Sequence, residues 1–165
     1  MATQTITQER LKQLLNYDLA TGVFTWLVNR KPDIRAGDVA GCTRRGYAII
    51  KIEQRIYFSH RLAWLYSYGR WPTGDVDHIN RVRNDNRLCN LRECSRSENC
   101  QNTSRRLRNT SGHKGVSWVS SRNKWVAQIV INGKNVNLGR YALLEDAIAA
   151  RNAAEKKYYT HAPRL

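Results

Sequence analysis

Asp77 and His78 are neighbours in Val76-Asp77-His78-Ile79-Asn80, and two carboxamides follow, Asn90 and Asn99, 12 and 21 residues after the histidine. A carboxylate and an amide oxygen are hard donors for a divalent cation. An imidazole takes a proton from water near neutral pH. Together these residues form a kit for metal-assisted phosphodiester cleavage. Asp77 and Asn99 hold a Mg2+-like ion against a non-bridging phosphate oxygen, and His78 deprotonates the attacking water. Asn90 braces the intervening loop by hydrogen bonding to backbone. Asn80, Asn86, Asn102 and Arg87 read instead as turn, cap or phosphate contacts.

The charge balance names the substrate. Twenty-eight Lys and Arg stand against 13 Asp and Glu, a net charge of +15 over 165 residues. Such an excess favours a polyanion through phosphate contact and counterion release. The basic residues are interleaved with Trp, Tyr and Asn along sheet-like segments, which points to nucleic acid rather than to a membrane surface or to solubility alone. No apolar run is long enough to span a bilayer, and the first residues lack the pattern of a signal peptide. The chain is therefore expected to act in the compartment where it is made. Cys42, Cys89, Cys94 and Cys100 include no Cys-x2-Cys pair. Buried free thiols are expected rather than structural zinc or disulfides.

The elements that must position these residues are those of an α+β protein in four parts. Residues 1–73 form a β-rich region with short helices. Thr7 caps a helix to Leu15, Val23 to Leu27 is a strand, and Tyr47–Ile52 with Gln54–Phe58 is a hairpin. Ser59 to Tyr68 is a second helix, ending at Gly69. Residues 74–105 carry the chemistry: a strand over Val76–Ile79, a polar loop, a return segment Leu88–Arg92, and a helix starting at Ser95 with Glu98 three residues on. Residues 106–112 are a basic linker, and Arg106 and Arg108, with Arg105 just before it, form a run suited to tracking phosphates. Residues 113–165 hold three antiparallel strands and one packed helix. Their strongest local signal is Asn132-Gly133 between two strands, and Gly139 is expected to turn the chain into the helix from Leu144 to Tyr159.

The central block resembles the HNH endonucleases, in particular the phage and intron-encoded homing type in which the last histidine of the motif is an asparagine. The residues that carry the resemblance are Asp77-His78-Ile79-Asn80, Asp85-Asn86-Arg87-Leu88, Asn90-Leu91-Arg92 and Arg96-Ser97-Glu98-Asn99. It implies a ββα-metal module, with Asp77 and Asn99 as metal ligands, His78 as general base and Asn90 as the loop-fixing residue. The ion implied is Mg2+, for which Mn2+ can substitute, and not zinc. His113 is a more distant candidate ligand. The segment from Gly112 to Tyr159 resembles the APETALA2-type DNA-binding domain, through Lys114-Gly115-Val116, Lys124-Trp125-Val126-Ala127-Gln128-Ile129, Leu138-Gly139 and an Ala-rich helix. That resemblance implies a sheet face laid in the major groove, with Lys114, Trp118, Arg122, Gln128, Val130 and Asn137 facing DNA. Trp125 is divided between DNA contact and packing of the sheet on its helix.

The reading that results is a modular, metal-dependent endonuclease acting on double-stranded DNA, in the cytoplasm of a bacterial host if phage-encoded. A DNA-binding regulator with a non-catalytic HNH module is the alternative, and an open sheet with Trp and Tyr also permits RNA binding. One active site per chain leaves monomer or dimer, and nicking or double-strand cleavage, open.

Overall fold

Thr7 starts the first helix, its Oγ1 accepting from the Arg10 amide at 3.2 Å, and α1 runs over Gln8–Leu14 with Leu11 fully buried. Leu15 does not continue it. The chain extends there into β1 (Leu15–Tyr17), which pairs antiparallel with β2 (Phe24–Trp26). The leucine spacing hides this switch, because Leu15 is buried in either conformation. β3 (Cys42–Arg44), β4 (Tyr47–Ile52) and β5 (Arg55–Phe58) form an antiparallel sheet in that order. α2 (Ser59–Tyr68) follows at once and stops at Gly69, whose φ of 72° sends its amide back to the Leu65 carbonyl. Leu62, Ala63 and Leu65 of α2 pack with Ile50, Ile52, Phe24 and Trp26.

β6 (Asp75–His78) and β7 (Leu91–Cys94) form an antiparallel pair, with a 3-10 turn over Leu88–Asn90 leading into β7. Val76 and Leu91 belong to the same apolar core as α1, β2, β4 and α2. A continuous core thus spans residue 73, where the sequence suggested a boundary. The computed structural model describes residues 5–103 and 109–161, and the chain divides into two compact units, Met1–Ser95 and Arg96–Leu165.

The second unit begins with α3 (Arg96–Gln101), the helix that follows Ser95. Its sheet, in the order β10-β9-β8, comprises β8 (Val116–Val119), β9 (Lys124–Ile131) and β10 (Lys134–Tyr141). Asn132 and Gly133 both have positive φ, 50° and 77°, as a tight hairpin turn requires. Gly139 does not turn the chain. β10 runs on to Tyr141 through a bulge between Asn137 and Gly139, and a φ of 136° at Gly139 absorbs the shift in register. α4 (Leu144–Tyr158) covers one sheet face, packing Ala147 and Ile148 on Val116, Ala127 and Trp125. Residues 109–112 are not a loose linker end. Ser111 is buried, and its Oγ donates to the Val116 carbonyl at 2.7 Å.

The fold is thus α+β, built from small antiparallel sheets and four helices among the described residues. No described helix is long and apolar enough to cross a membrane. The thiols depart from expectation. Cys94 is buried, with its Sγ 3.7 Å from the Asp75 carbonyl, whereas the free Cys42, Cys89 and Cys100 are exposed.

Candidate active site

The site begins at the end of a strand. His78 closes β6 opposite Leu91, and Asp77 stands opposite Arg92. Strand alternation sends these neighbours to different surroundings, and both are buried. One oxygen of Asp77, Oδ2, accepts from Arg92 Nε at 2.9 Å and Nη2 at 2.7 Å. Both groups are held largely out of water, where such a charge-assisted pair is strongest.

The His78 ring meets Asn86. Nε2 lies 3.0 Å from Asn86 Oδ1, and Asn86 is only 2% exposed. An amide oxygen only accepts, so this contact puts the ring proton on Nε2 and the basic lone pair on Nδ1. Asn86 is itself fixed from several sides. Its backbone carbonyl accepts from the Tyr17 hydroxyl at 2.6 Å, and its Nδ2 donates to the Asn84 carbonyl at 3.4 Å. Gly22 lies so close to this segment that a Cβ there would come within 2.4 Å of the Arg87 nitrogen. Asn86 is the member of the site that sequence reasoning set aside as a turn residue. The signal pointing to it is the density of Asn around His78, which puts a short amide within reach of the ring.

His60, on α2, is a second neighbour of His78 that the motif spacing does not single out. Its ring meets the His78 ring edge-to-face at 5.0 Å, and Tyr47 of β4 lies 6.2 Å from His78. His60 is buried, and its Nδ1 has no hydrogen-bond partner. Burial, then the neighbouring His78 and Arg61, push its pKa down to about 3. His60 is therefore a neutral wall for the His78 ring at physiological pH.

Asn90 ties the two ends of the loop together. Its Oδ1 accepts from the Asn80 amide at 3.0 Å, its Nδ2 donates to the Asp85 carbonyl at 2.8 Å, and its carbonyl accepts from the Ile79 amide at 2.9 Å. Asp85 adds a second layer, receiving Arg87 Nε and Nη2 at 2.7 and 2.6 Å and Asn80 Nδ2 at 2.7 Å. The Arg87 side chain, more than any other cause, holds the Asp85 carboxyl near a pKa of about 2. Asp77, His78 and Asn90 lie in the first unit, and Asn99 stands on α3 in the second. Among the described residues no group of three or more His, Cys, Asp or Glu side chains could hold an ion.

In the second unit, the register separates the residues expected to face DNA. Gln128, Val130 and Asn137 share the sheet face away from α4, and Ser117 lies on it with them. Trp118 falls in the other row. It pairs with Trp125, two residues on from buried Val116, and its ring meets Trp125 edge-on at 5.1 Å. Strict alternation along β8 puts Trp118 at the margin of the helix-side face, although 40% of it is exposed. Trp125 packs with the α4 core. Arg122 is exposed in the 3-10 turn over Ser120–Arg122. Lys114 does not project from the sheet. Its Nζ donates to the Cys100, Gln101 and Thr103 carbonyls at the end of α3. A cleft of about 850 Å³ within this unit is lined by Arg96 and Cys100 of α3 and by Ser117, Gln128 and Val130 of the open face. Arg105, Arg106 and Arg108 lie outside the described residues.

Residues 57–101 match the model of the HNH endonuclease family. Protein 3.8 of Escherichia phage T7 is 36% identical over 87 residues, which is 52% of this chain and 72% of that protein. No solved structure matches the chain. The matched segment runs from β5 through the Asp77-His78 strand end and the Asn90 loop to the last residue of α3. The chain thus belongs to the HNH endonuclease family, a relative of phage T7 Protein 3.8 with its nuclease domain at residues 57–101.

Proposed function

We propose that this protein is a metal-dependent, homing-type HNH endonuclease that hydrolyses phosphodiester bonds at selected sites in double-stranded DNA. The observation that carries the reading is the setting of His78: a buried imidazole whose proton is held on Nε2 by Asn86, inside the segment that matches the HNH family. In this reading His78 Nδ1 takes the proton of the attacking water, and His60 and Tyr47 keep the ring from turning. Asn90 fixes the loop, and with it the Asn86 carboxamide that aligns the base.

Asp77 and Asn99 offer a carboxylate and an amide oxygen, a donor set suited to a hard cation such as Mg2+ or Mn2+. One Asp77 oxygen, Oδ2, already lies 2.7 Å from a guanidinium nitrogen of Arg92, so this side chain sits against positive charge. The bound cation supplies neutralisation of charge on the phosphate and on the departing 3′ oxygen.

Residues 113–165 are proposed as an APETALA2-type positioning domain, with Gln128, Val130, Asn137 and Arg122 toward the bases and grooves. Arg105, Arg106 and Arg108 are proposed to follow the phosphates in the cytoplasm of a bacterial host. A second reading, a DNA-binding regulator with an inert HNH module, is favoured by the same Arg92, because a guanidinium on Asp77 competes with a metal. Incubating the purified chain with supercoiled plasmid in Mg2+ or in EDTA separates the two. Conversion of the plasmid to nicked or linear forms only with Mg2+ supports the nuclease, and binding without conversion supports the regulator.

A further inference from the structure

We infer that Lys114 is a strut locking α3 to the β8–β10 sheet, and that it thereby sets the spacing between the bases read and the phosphodiester cut. The inference rests on the nuclease reading above. α3 has six residues and none of them is buried, a length at which intrinsic helix stability is low. Its last carbonyls lack partners within the helix. Lys114 supplies them: Nζ lies 2.6 Å from the Cys100 carbonyl, 3.2 Å from that of Gln101, 3.3 Å from that of Thr103 and 2.8 Å from Thr103 Oγ1. An ammonium has three N–H donors, and four acceptors already surround this one. Partial burial, followed by repulsion from Arg151, lowers the Lys114 pKa.

The other end of the strut is anchored to β9. The Gly115 carbonyl accepts from the Gln128 amide at 2.8 Å, and a Cβ on Gly115 would lie 2.4 Å from the Gln128 oxygen. Only glycine lets the chain approach so closely, at a φ of 76°. A second tie holds the same helix end, where Gln101 Oε1 accepts from the Thr160 and His161 amides at 3.1 and 2.9 Å. Lys114 therefore links Gln128, on the proposed reading face, to the helix that carries Asn99 and on which the family match ends. Lys114 is a positioning residue, acting through α3. Displacing a reacting group by about 1 Å costs on the order of 100-fold in rate, so release of α3 registers at the cut.

The test maps cleavage of a long duplex at nucleotide resolution, under single-turnover conditions with Mg2+, for the full-length wild type and for Lys114→Met, Lys114→Arg and Gln101→Ala. Lys114→Met keeps the length of the side chain and removes its donors. It is expected to spread cuts onto neighbouring phosphodiesters and to slow cleavage at the main position by on the order of 10- to 100-fold. Its DNA affinity in EDTA, and the dependence of that affinity on salt, stay at wild-type values. Lys114→Arg restores the main position. Gln101→Ala, which cuts the weaker tie and leaves Lys114 in place, gives a milder spread and keeps the test open if Lys114→Met folds poorly. Unchanged cut positions in both Lys114→Met and Gln101→Ala overturn the strut. So does a salt slope reduced by about one with cut positions unchanged, since Lys114 is then a phosphate contact. A wild type that cuts no DNA in Mg2+ or Mn2+ overturns the nuclease reading itself, a result distinct from failure of the variants alone.

Discussion

Replacing Asn86 by Ala tests the organisation of the site more sharply than removing a motif residue. The change deletes the oxygen 3.0 Å from His78 Nε2 and so removes the acceptor that Asn86 offers a buried N–H, since Asn86 is 2% and His78 5% exposed. An unsatisfied buried donor costs about 1–3 kcal/mol. If that cost falls on the orientation and tautomer of the base, at about 1.4 kcal/mol per factor of ten, cleavage slows by on the order of 10- to 100-fold. The loss should appear in kcat and not in KM, because Asn86 is enclosed by Tyr17 and the Asn84 carbonyl and is not offered to DNA. Single-turnover cleavage at saturating protein, with binding measured separately in EDTA, reads the two apart. The temperature should lie well below the variant's Tm, since the same deletion lowers stability by a similar 1–3 kcal/mol. A variant that cleaves at the wild-type rate but binds DNA with a salt slope lower by about one makes Asn86 a phosphate contact and refutes the reasoning.

Asp77→Ala and Asn99→Ala are each expected to abolish metal-dependent cleavage while binding in EDTA persists, and Asp77→Ala binds slightly tighter because a negative charge is lost; Mn2+ titration by electron paramagnetic resonance checks that both lose the ion. Below pH 6.5 the unfolded chain protonates His60 whereas the folded chain resists down to about pH 3, so stability is full above 6.5 and falls as pH drops through this window, by up to about 1.4 kcal/mol per pH unit. His60→Leu should flatten the fall of Tm between pH 6.5 and pH 4, and an unchanged acid slope contradicts a buried neutral imidazole. Arg122→Ala should weaken binding and lower its salt slope by about one if it meets phosphate, whereas Gln128→Ala should change which sites are cut with the slope unaltered.

The elements were largely legible because their signals are local. Thr7 as a cap, Gly69 as a helix stop and Asn132-Gly133 as a turn each act within a few residues, and the structure has a helix start, a helix end and a hairpin at those points. β1 was not legible, since Leu15 satisfies helical spacing and strand burial alike. Gly139 was misread because a positive φ serves a bulge as well as a turn, and only pairing with β9 decides between them. For the site, the motif named Asp77, His78, Asn90 and Asn99, but long-range packing supplies the neighbours of His78. His60 reaches His78 from α2, and Tyr17 holds Asn86 across 69 residues. Lys114 shows the same limit in the other unit, where a lysine that reads as a DNA contact caps the carbonyl end of a helix 13 residues earlier.

The most direct measurement compares wild type and His78→Ala on the same duplex, with cleavage rates in Mg2+ and equilibrium binding in EDTA. Mg2+-dependent cleavage by the wild type is expected, with a rate at least about 100-fold lower for His78→Ala and equal affinities for the two proteins. Equal cleavage rates, or cleavage by the wild type that persists in EDTA, would contradict this expectation.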